Sequence, residues 1–510
     1  NENPLLALLI AFCTLAAALF TIRIESLLVS TFDAQFLPGI LADGLFLLVG
    51  LLAVVLFLLV EKPAVLRNNS RVLLLSLISL LTLIPGKILS HLSTSVDWMS
   101  PGVAQALLPF ALAPLLATIL IDSTAGIAVG VWNSLALSLG ATASLPFFLS
   151  GILATAVTAF LGRQVRKRAQ VFKMGAVVGM AQILCLLGFA ASNWEYSGTF
   201  LRLTLNLAGA CVVSAFFSAI VVLLILPVFE VLFHITTDIR LLELSDLDHP
   251  LLQRLAIEAP GTYHHSLVVA NLAQAAADEI GANSLLARVA SYFHDIGKLT
   301  KPEFFSENIM HRDNPHDDLP PSMSTLVITA HVKEGLSLAL LHKLPVPILR
   351  VISEHHGNSL ITFFHHKAKS QMEQEFSQQD RNQTNGHLKI NEGDFRYSGP
   401  RPSSRESAIV GLADAVEAAS RSMEKGKPGQ IEGLVNDIVM SRIQDGQLDD
   451  CDLAMSELAQ IRRSFIFTLT NMLHGRIPYP KDEDRDKQFK SQTAKSVKAT
   501  ESDKVPDAPG

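Results

Sequence analysis

The chain has 510 residues and a formal charge of −6, which gives no sign of a nucleic-acid binder and leaves room for two or three domains. Hydrophobic residues make up 49% and charged residues only 17%, a balance unusual for a soluble chain. The apolar excess lies in the first 232 residues, whereas fifteen of the sixteen histidines lie after them. Three of the four cysteines (Cys13, Cys185, Cys211) sit in apolar runs. With Cys451 they form no metal knuckle, which argues against a disulfide framework or a cysteine-based zinc site.

The first segment, Pro4 to Ile22, is long and apolar enough to cross a bilayer as a helix. A cleaved signal peptide is the alternative, but the flank lacks a strongly basic start. The chain begins with Asn rather than Met, so further residues before it are expected. Apolar runs follow at about 41–60, 72–90, 102–121, 124–140, 143–161, 174–192 and 203–232. The spacing predicts eight spans, or one followed by seven, with 102–140 also readable as one span plus a re-entrant piece. The 61–71 loop carries Lys62, Arg67 and Arg71. The 162–173 loop carries Arg163, Arg166, Lys167, Arg168 and Lys173. The positive-inside rule places both in the cytoplasm. An even number of spans separates them, so the two assignments agree, and both the N-terminus and everything after residue 232 fall on the same side. Asp122, Asn133 and Asn206 are isolated polar residues, which favours an anchor or sensor over an ion pathway.

The expected domains are a first span with a short loop (1–40), a seven-span bundle (41–232), a helical connector (233–262), a cytoplasmic all-helical domain (263–480) and a disordered tail (481–510). In the soluble domain, helical periodicity predicts helices over 263–280, stopped by Gly281, and 284–296, with Ser284 as N-cap. Further helices are expected over 322–341, 346–356, 404–422 and 452–474. The polar stretch between Lys367 and Arg405 reads as a long loop.

Chemistry concentrates at His294-Asp295-Ile296-Gly297-Lys298. Neighbouring residues on a helix diverge by about 100°, so His294 and Asp295 converge only on a metal near the helix end. The alternative is an ordinary helix terminus, with Gly297 ending it and Lys298 facing its negative pole. Candidates then recur on successive predicted helices: one of His264-His265, His331, His355-His356 and Asp414. Asp414 stands in an apolar helix, where an unpaired carboxylate is costly. Five imidazoles and two carboxylates exceed the four ligands of a closed structural zinc and suit two metals bridged by Asp295. Iron, manganese and zinc all accept such ligands. Two cations would acidify a bridging water and clamp phosphate oxygens, which implies phosphoester hydrolysis, with Lys298 neutralising phosphate or assisting the leaving oxygen. His365-His366, His311 and His316 read as solvated or peripheral.

These residues resemble the HD-domain phosphohydrolases, and the whole arrangement resembles the seven-transmembrane HD family of cyclic di-AMP phosphodiesterases. The resemblance runs over about residues 41–475 and is carried by Ala259-Pro-Gly-Thr-Tyr-His-His-Ser266, His294-Asp-Ile-Gly-Lys298, Glu354-His-His-Gly357, Phe395-Arg-Tyr-Ser-Gly-Pro400 and Ala413-Asp-Ala-Val-Glu-Ala-Ala-Ser-Arg421. It implies one metal held by His265, His294, Asp295 and Asp414, a second held by Asp295, His331, His355 and His356, and hydrolysis to 5′-pApA. It extends to substrate binding by Lys298 and Tyr397. The partners implied are cyclic di-AMP, the lipid bilayer and a second copy of the chain in a homodimer, with no nucleic-acid polymer, in a bacterial cytoplasmic (inner) membrane. Two features depart from the family: only about residues 23–40 separate the first span from the bundle, and Ser398 stands where proline is usual. The rival readings are a cyclic di-GMP phosphodiesterase, disfavoured because no Gly-Tyr-Pro follows Glu354-His-His-Gly357, and a non-catalytic membrane receptor or scaffold.

Overall fold

The computed structural model describes residues 3–28, 36–95, 100–141, 145–163, 165–192, 198–309, 314–378, 390–423 and 428–474. His311 and the 481–510 tail lie outside them. Among the described residues the secondary structure is helical, apart from one isolated antiparallel bridge between Leu360 and Arg396. The chain divides into two compact units, Asn1–Pro250 with His342–Leu349, and Leu251–Leu341 with Arg350–Gly510.

The first unit contains α1 (Pro4–Leu28), α2 (Phe36–Glu61), the short α3 (Pro63–Arg67), α4 (Asn69–Ser95), α5 (Pro101–Ala106), α6 (Leu112–Leu120), α7 (Ser123–Gly140), α8 (Leu145–Gly162), α9 (Arg168–Ser192), α10 (Gly198–Phe233) and α11 (Asp238–Leu244). Six of the described helices are long and apolar enough to cross a membrane: α1, α2, α4, α8, α9 and α10. The expected span at 102–121 is broken. α6 has nine residues, so it rises about 14 Å, half the ~30 Å hydrocarbon core. Pro109, which has no N–H to give, lies in the break. The Leu108 carbonyl there accepts from Phe110 N at 2.8 Å and from the buried Ser214 hydroxyl of α10, also at 2.8 Å. Asn133 lowers the hydropathy of the 18-residue α7, and its amide donates to Ser79 Oγ at 3.1 Å and to the Val129 carbonyl at 2.9 Å.

Polar contacts at the helix ends fix how these helices run. Asp122 caps α7 through Ala125 N at 2.8 Å and also meets Lys62 Nζ at 3.2 Å. Arg163 Nε donates to Ser123 Oγ at 2.9 Å, and Arg168 pairs with Glu243 of α11 at 2.7 Å. The two basic loops, the α6–α7 junction and α11 therefore share one end of the bundle. α4 leaves that end and α6 returns to it, so α5 and α6 together make one interrupted pass. Counted in this way, the described residues make seven passes from α2 to α10. Arg23 near the end of α1 pairs with Asp43 in the first part of α2 at 2.6 Å, which adds α1 as an antiparallel neighbour. Phe160, Val60 and Val231 stay more than three-quarters exposed, as lipid-facing side chains do.

The second unit takes up the chain through α12 (Pro250–Glu258), α13 (Pro260–Glu279), α14 (Ser284–Phe293), α15 (Pro321–Leu341), α16 (Val346–Glu354), α17 (Thr362–Gln378), α18 (Arg405–Ser420), α19 (Pro428–Gln444) and α20 (Met455–His474). Four expectations need correction. Asn283 caps α14 by accepting from Leu286 N at 2.9 Å, so Ser284 is the first helical residue and not the cap. α14 stops at Phe293, and a 3₁₀ turn, Ile296–Thr300, replaces its expected last residues. α17 occupies the start of what reads as a polar loop, because its sequence is polar on nearly every side. α19 is missing from the expected helices; it opens on Pro428-Gly429 and carries Gly433 in its interior, residues that lower helix propensity.

Gly130 of α7 makes the bundle sensitive to added volume. A Cβ there would lie 2.5 Å from the Thr155 side chain and 2.8 Å from Pro114 Cβ. Gly130→Val should destabilise the detergent-solubilised chain by about 1–3 kcal/mol through overpacking, seen as a lower unfolding temperature.

Candidate metal centre

His294 and Asp295 straddle the joint between α14 and the 3₁₀ turn. His294 is the last residue with helical dihedrals, at φ −57° and ψ −33°, and Asp295 turns to φ −110° and ψ 16°. That change of direction brings the two side chains together, with His294 Nε2 3.3 Å from Asp295 Oδ2. Gly297 does not end a helix. A Cβ on it would stand 1.8 Å from the His331 carbonyl oxygen and 2.5 Å from Gly335 N, so only glycine lets the turn rest against α15. This contact sets His331 beside Asp295.

The two oxygens of Asp295 face different partners. Oδ2 lies 3.4 Å from His265 Nε2 and 3.3 Å from His294 Nε2, while Oδ1 lies 3.3 Å from His331 Nε2 and 3.7 Å from His355 Nε2. Asp414 on α18 offers Oδ1 to His265 Nε2 at 3.0 Å and Oδ2 to His356 Nδ1 at 3.5 Å. The result is two groups of four that share Asp295: His265, His294, Asp295 and Asp414, and Asp295, His331, His355 and His356. Within each group the potential ligand atoms all lie within 4.8 Å of one another. In the 264–265 doublet, His264 is exposed and His265 is 1% exposed, a choice the sequence leaves open. His355 and His356 both turn inward, and Gly357 just past them has φ +55°.

The donor set fits divalent metal ions. His265 Nε2, His294 Nε2, His331 Nε2, His355 Nε2 and Asp295 Oδ1 are buried and make no hydrogen bond, and Asp295 Oδ2 meets only the Lys298 ammonium at hydrogen-bonding distance. Buried polar atoms without partners are rare in folded proteins, and five converging on one spot mark a place where ions satisfy them. The other ring nitrogen is occupied in each case. Nδ1 of His294, His331 and His355 donates to the carbonyls of Ser291 (2.7 Å), Ile328 (2.6 Å) and Ile352 (2.9 Å). His265 Nδ1 faces Glu417.

The electrostatics divide the cluster. Burial opposes charge on His265 and His294, but Asp295 and Asp414 outweigh it and hold both imidazoles protonated without metal, His294 at about 9. Burial works equally against the carboxylates. His294 and Lys298 still keep Asp295 well below the usual range, and His265 and His294 do the same for Asp414. His331 is pushed down to about 4, chiefly by burial, and His356 also falls by burial and the neighbouring His355. Metal binding must therefore displace protons from His265 and His294 but finds His331 and His356 already neutral.

Lys298 is not a surface lysine. Its ammonium lies 2.7 Å from Asp295 Oδ2 and 2.7 Å from Glu307 Oε1, over the Phe305 ring. Burial opposes its charge, and the two carboxylates prevail and raise its pKa. Tyr397 stacks on His356 with ring centroids 4.2 Å apart. Its loop is anchored by Arg396, which pairs with Asp445 at 2.8 Å, and burial raises the phenol's pKa. His365 and His366 lie on α17, outside both groups. His316 is buried rather than solvated, with Nε2 on the Phe304 carbonyl at 2.8 Å. Sequence reasoning misses Glu307 and Glu417. For Glu417 a signal exists, since it lies three residues after Asp414 on the same helical face. For Glu307 none does.

Comparison with known proteins adds the following. The family described as 7TM receptor with intracellular HD hydrolase matches residues 37–237, and the HD domain matches residues 262–419. The chain is 37% identical over 453 residues to the cyclic-di-AMP phosphodiesterase PgpH of Bacillus subtilis, covering 86% of this chain and 60% of that protein. It is 37% identical over 383 residues to PgpH of Listeria monocytogenes, covering 74% and 51%. The chain thus spans 60% and 51% of the length of these two curated relatives. The crystal structure of the L. monocytogenes PgpH HD domain in complex with cyclic di-AMP matches 45% of this chain and 100% of that one, at 40% identity and a TM-score of 0.41.

Two outcomes follow from this geometry. Gly297→Ala forces the 3₁₀ turn off α15, so the chain should keep its helical circular dichroism while losing metal uptake, measured by elemental analysis. Glu307 has its carboxyl held down at about 2 by Lys298, against the effect of burial. Its folded pKa lies below the unfolded value near 4.5, so its contribution is present above pH 4.5 and is lost as pH falls toward 2. Glu307→Gln should therefore lower stability at pH 7 by up to about 3 kcal/mol, and the gap to wild type in denaturant unfolding should close below pH 4.5.

Proposed function

The chain belongs to the family of seven-transmembrane receptors with an intracellular HD hydrolase, and from that premise we propose that it is a membrane-bound, metal-dependent phosphodiesterase that hydrolyses cyclic di-AMP to 5′-pApA. The observation that carries this reading is the division of Asp295 between two sets of imidazoles, one facing each carboxylate oxygen. A bridging carboxylate of this kind belongs to a two-ion site. Both PgpH relatives are named as cyclic-di-AMP phosphodiesterases, which supports the substrate.

His265, His294, Asp295 and Asp414 would hold one ion, and Asp295, His331, His355 and His356 the other, each iron, manganese or zinc. When bound, the ions supply an acidified water and a clamp on phosphate oxygens. Cleaving one of the two phosphodiester links consumes one water, releases a ribose 3′ oxygen and leaves the phosphate on the 5′ oxygen. Lys298, locked between Asp295 and Glu307, presents a fixed positive charge to the phosphate and the leaving oxygen; held protonated, it serves as an electrostatic group and not as a base. The Tyr397 ring, stacked on His356, provides an aromatic edge for a substrate base.

The domain limits that accompany this reading are a seven-span bundle over 41–232, a connector over 233–262 and the HD domain over 263–480. The basic end of the bundle faces the cytoplasm by the positive-inside rule, which puts the site where the second messenger is made and used, at the bacterial inner membrane.

The test compares turnover of cyclic di-AMP, cyclic di-GMP and linear pApA, with metal content determined on the same sample. Cyclic di-AMP should be preferred and 5′-pApA should accumulate; preference for cyclic di-GMP overturns the substrate, and metal-loaded protein without turnover overturns the enzyme reading. Asp295→Ala should reduce turnover by at least about 10³-fold and bound metal by more than half, leaving the membrane helices intact.

A further inference from the structure

Three imidazoles of the cluster are oriented by their own helices, because Nδ1 of His294, His331 and His355 donates to a backbone carbonyl three residues back. His265 is oriented by a side chain. Its Nδ1 faces Glu417 Oε2 on α18, 152 residues further along the chain, and its buried Nε2 is left pointing at Asp295 and Asp414. Glu417, with its side chain only 7% exposed, is itself gripped one turn on by Arg421. The Arg421 Nε lies 3.0 Å from both carboxylate oxygens, and one terminal nitrogen lies 2.6 Å from Oε2.

The arrangement continues around the site. The other terminal nitrogen of Arg421 comes within 3.8 Å of Glu307 Oε2, the remaining oxygen of Glu307 takes Lys298, and Lys298 returns to Asp295. A chain of alternating charge thus leaves one member of the first group and re-enters it at another. An ion pair formed only to stabilise α18 needs nothing beyond Glu417 and Arg421, four residues apart, and would have no reason to bury the carboxylate against an imidazole. A carboxylate on the far nitrogen of a ligating histidine fixes its tautomer and raises its basicity toward the metal.

Resting on the two-ion reading above, we propose that Glu417 is a positioning residue: it selects the Nδ1-protonated form of His265 and so sets the affinity of the His265, His294, Asp295 and Asp414 group for its ion, with Arg421 holding Glu417 in place. The second group, whose histidines His331 and His355 are tied to backbone carbonyls, does not depend on it.

The experiment loads the full chain in detergent with Mn²⁺ and follows bound manganese per chain against graded chelator. Wild type should release two ions. Glu417→Gln, which keeps the shape and loses the charge, should release one ion at about 10- to 100-fold weaker chelation while the other leaves near its wild-type midpoint. Arg421→Met should shift the same ion by less, and serves in its place if Glu417→Gln does not fold. Equal shifts of both ions would show a general loosening and overturn the proposal, as would no shift of either. A wild-type chain that takes up no manganese overturns the two-ion reading itself, and the role of Glu417 falls with it.

Discussion

A carboxylate buried to 1% exposure, Asp295, met by one ammonium and four imidazoles, is the constraint around which the second unit is built. Removing an ion from water costs several kcal/mol even after relaxation, so Asp295 is tolerable only amid opposite charge. α13, α15 and α18, and the turns that follow α14 and α16, each deliver a side chain to it or to its partner Asp414. The end of α14, the tight 3₁₀ turn and the absence of a side chain at Gly297 all serve to bring backbone close enough for that delivery. Lys298 supplies the one full positive charge in direct contact with Asp295 that does not depend on a titrating imidazole. Packing and electrostatics are therefore the same problem here.

The helical class and the membership of the cluster were legible in the sequence because both have periodic or compositional signatures. Apolar stripes mark α13, α15 and α18, and histidines at intervals along otherwise apolar helices are conspicuous. What was not legible has physical reasons too. His264 and His265 differ only in which side of α13 they occupy, and the sequence does not fix the helix's rotation about its axis. α17 is polar around most of its circumference, so periodicity has no contrast to detect. The break between α5 and α6 falls inside a continuous apolar run, where only Pro109 hints at it. Glu307 lies in a loop with no periodicity, and its place beside Lys298 follows from tertiary folding alone.

The two units meet opposite demands. In the membrane half the difficulty is the polar backbone, met by continuous helices and by serine and asparagine side chains that bond to neighbouring carbonyls and hydroxyls, as Asn133 does with Ser79. In the second unit the backbone is easily satisfied and the difficulty is concentrated charge. There Glu307, Arg421 and Glu417 extend the ionic order outward from the ligands until it reaches side chains that are partly solvated, Arg421 at 34% exposed being the outlet.

The interrupted pass has a consequence for how the chain is assembled. The Leu108 carbonyl at the break shares its lone pairs between a neighbouring N–H and the hydroxyl of Ser214, which lies 106 residues later. Synthesis delivers the break first and its partner only after α7, α8 and α9 have followed. An unbroken helix satisfies its interior carbonyls from its own backbone, whereas the Leu108 carbonyl takes its second bond from α10. A chain truncated before Ser214 would lack the one side-chain bond that α10 gives to the break.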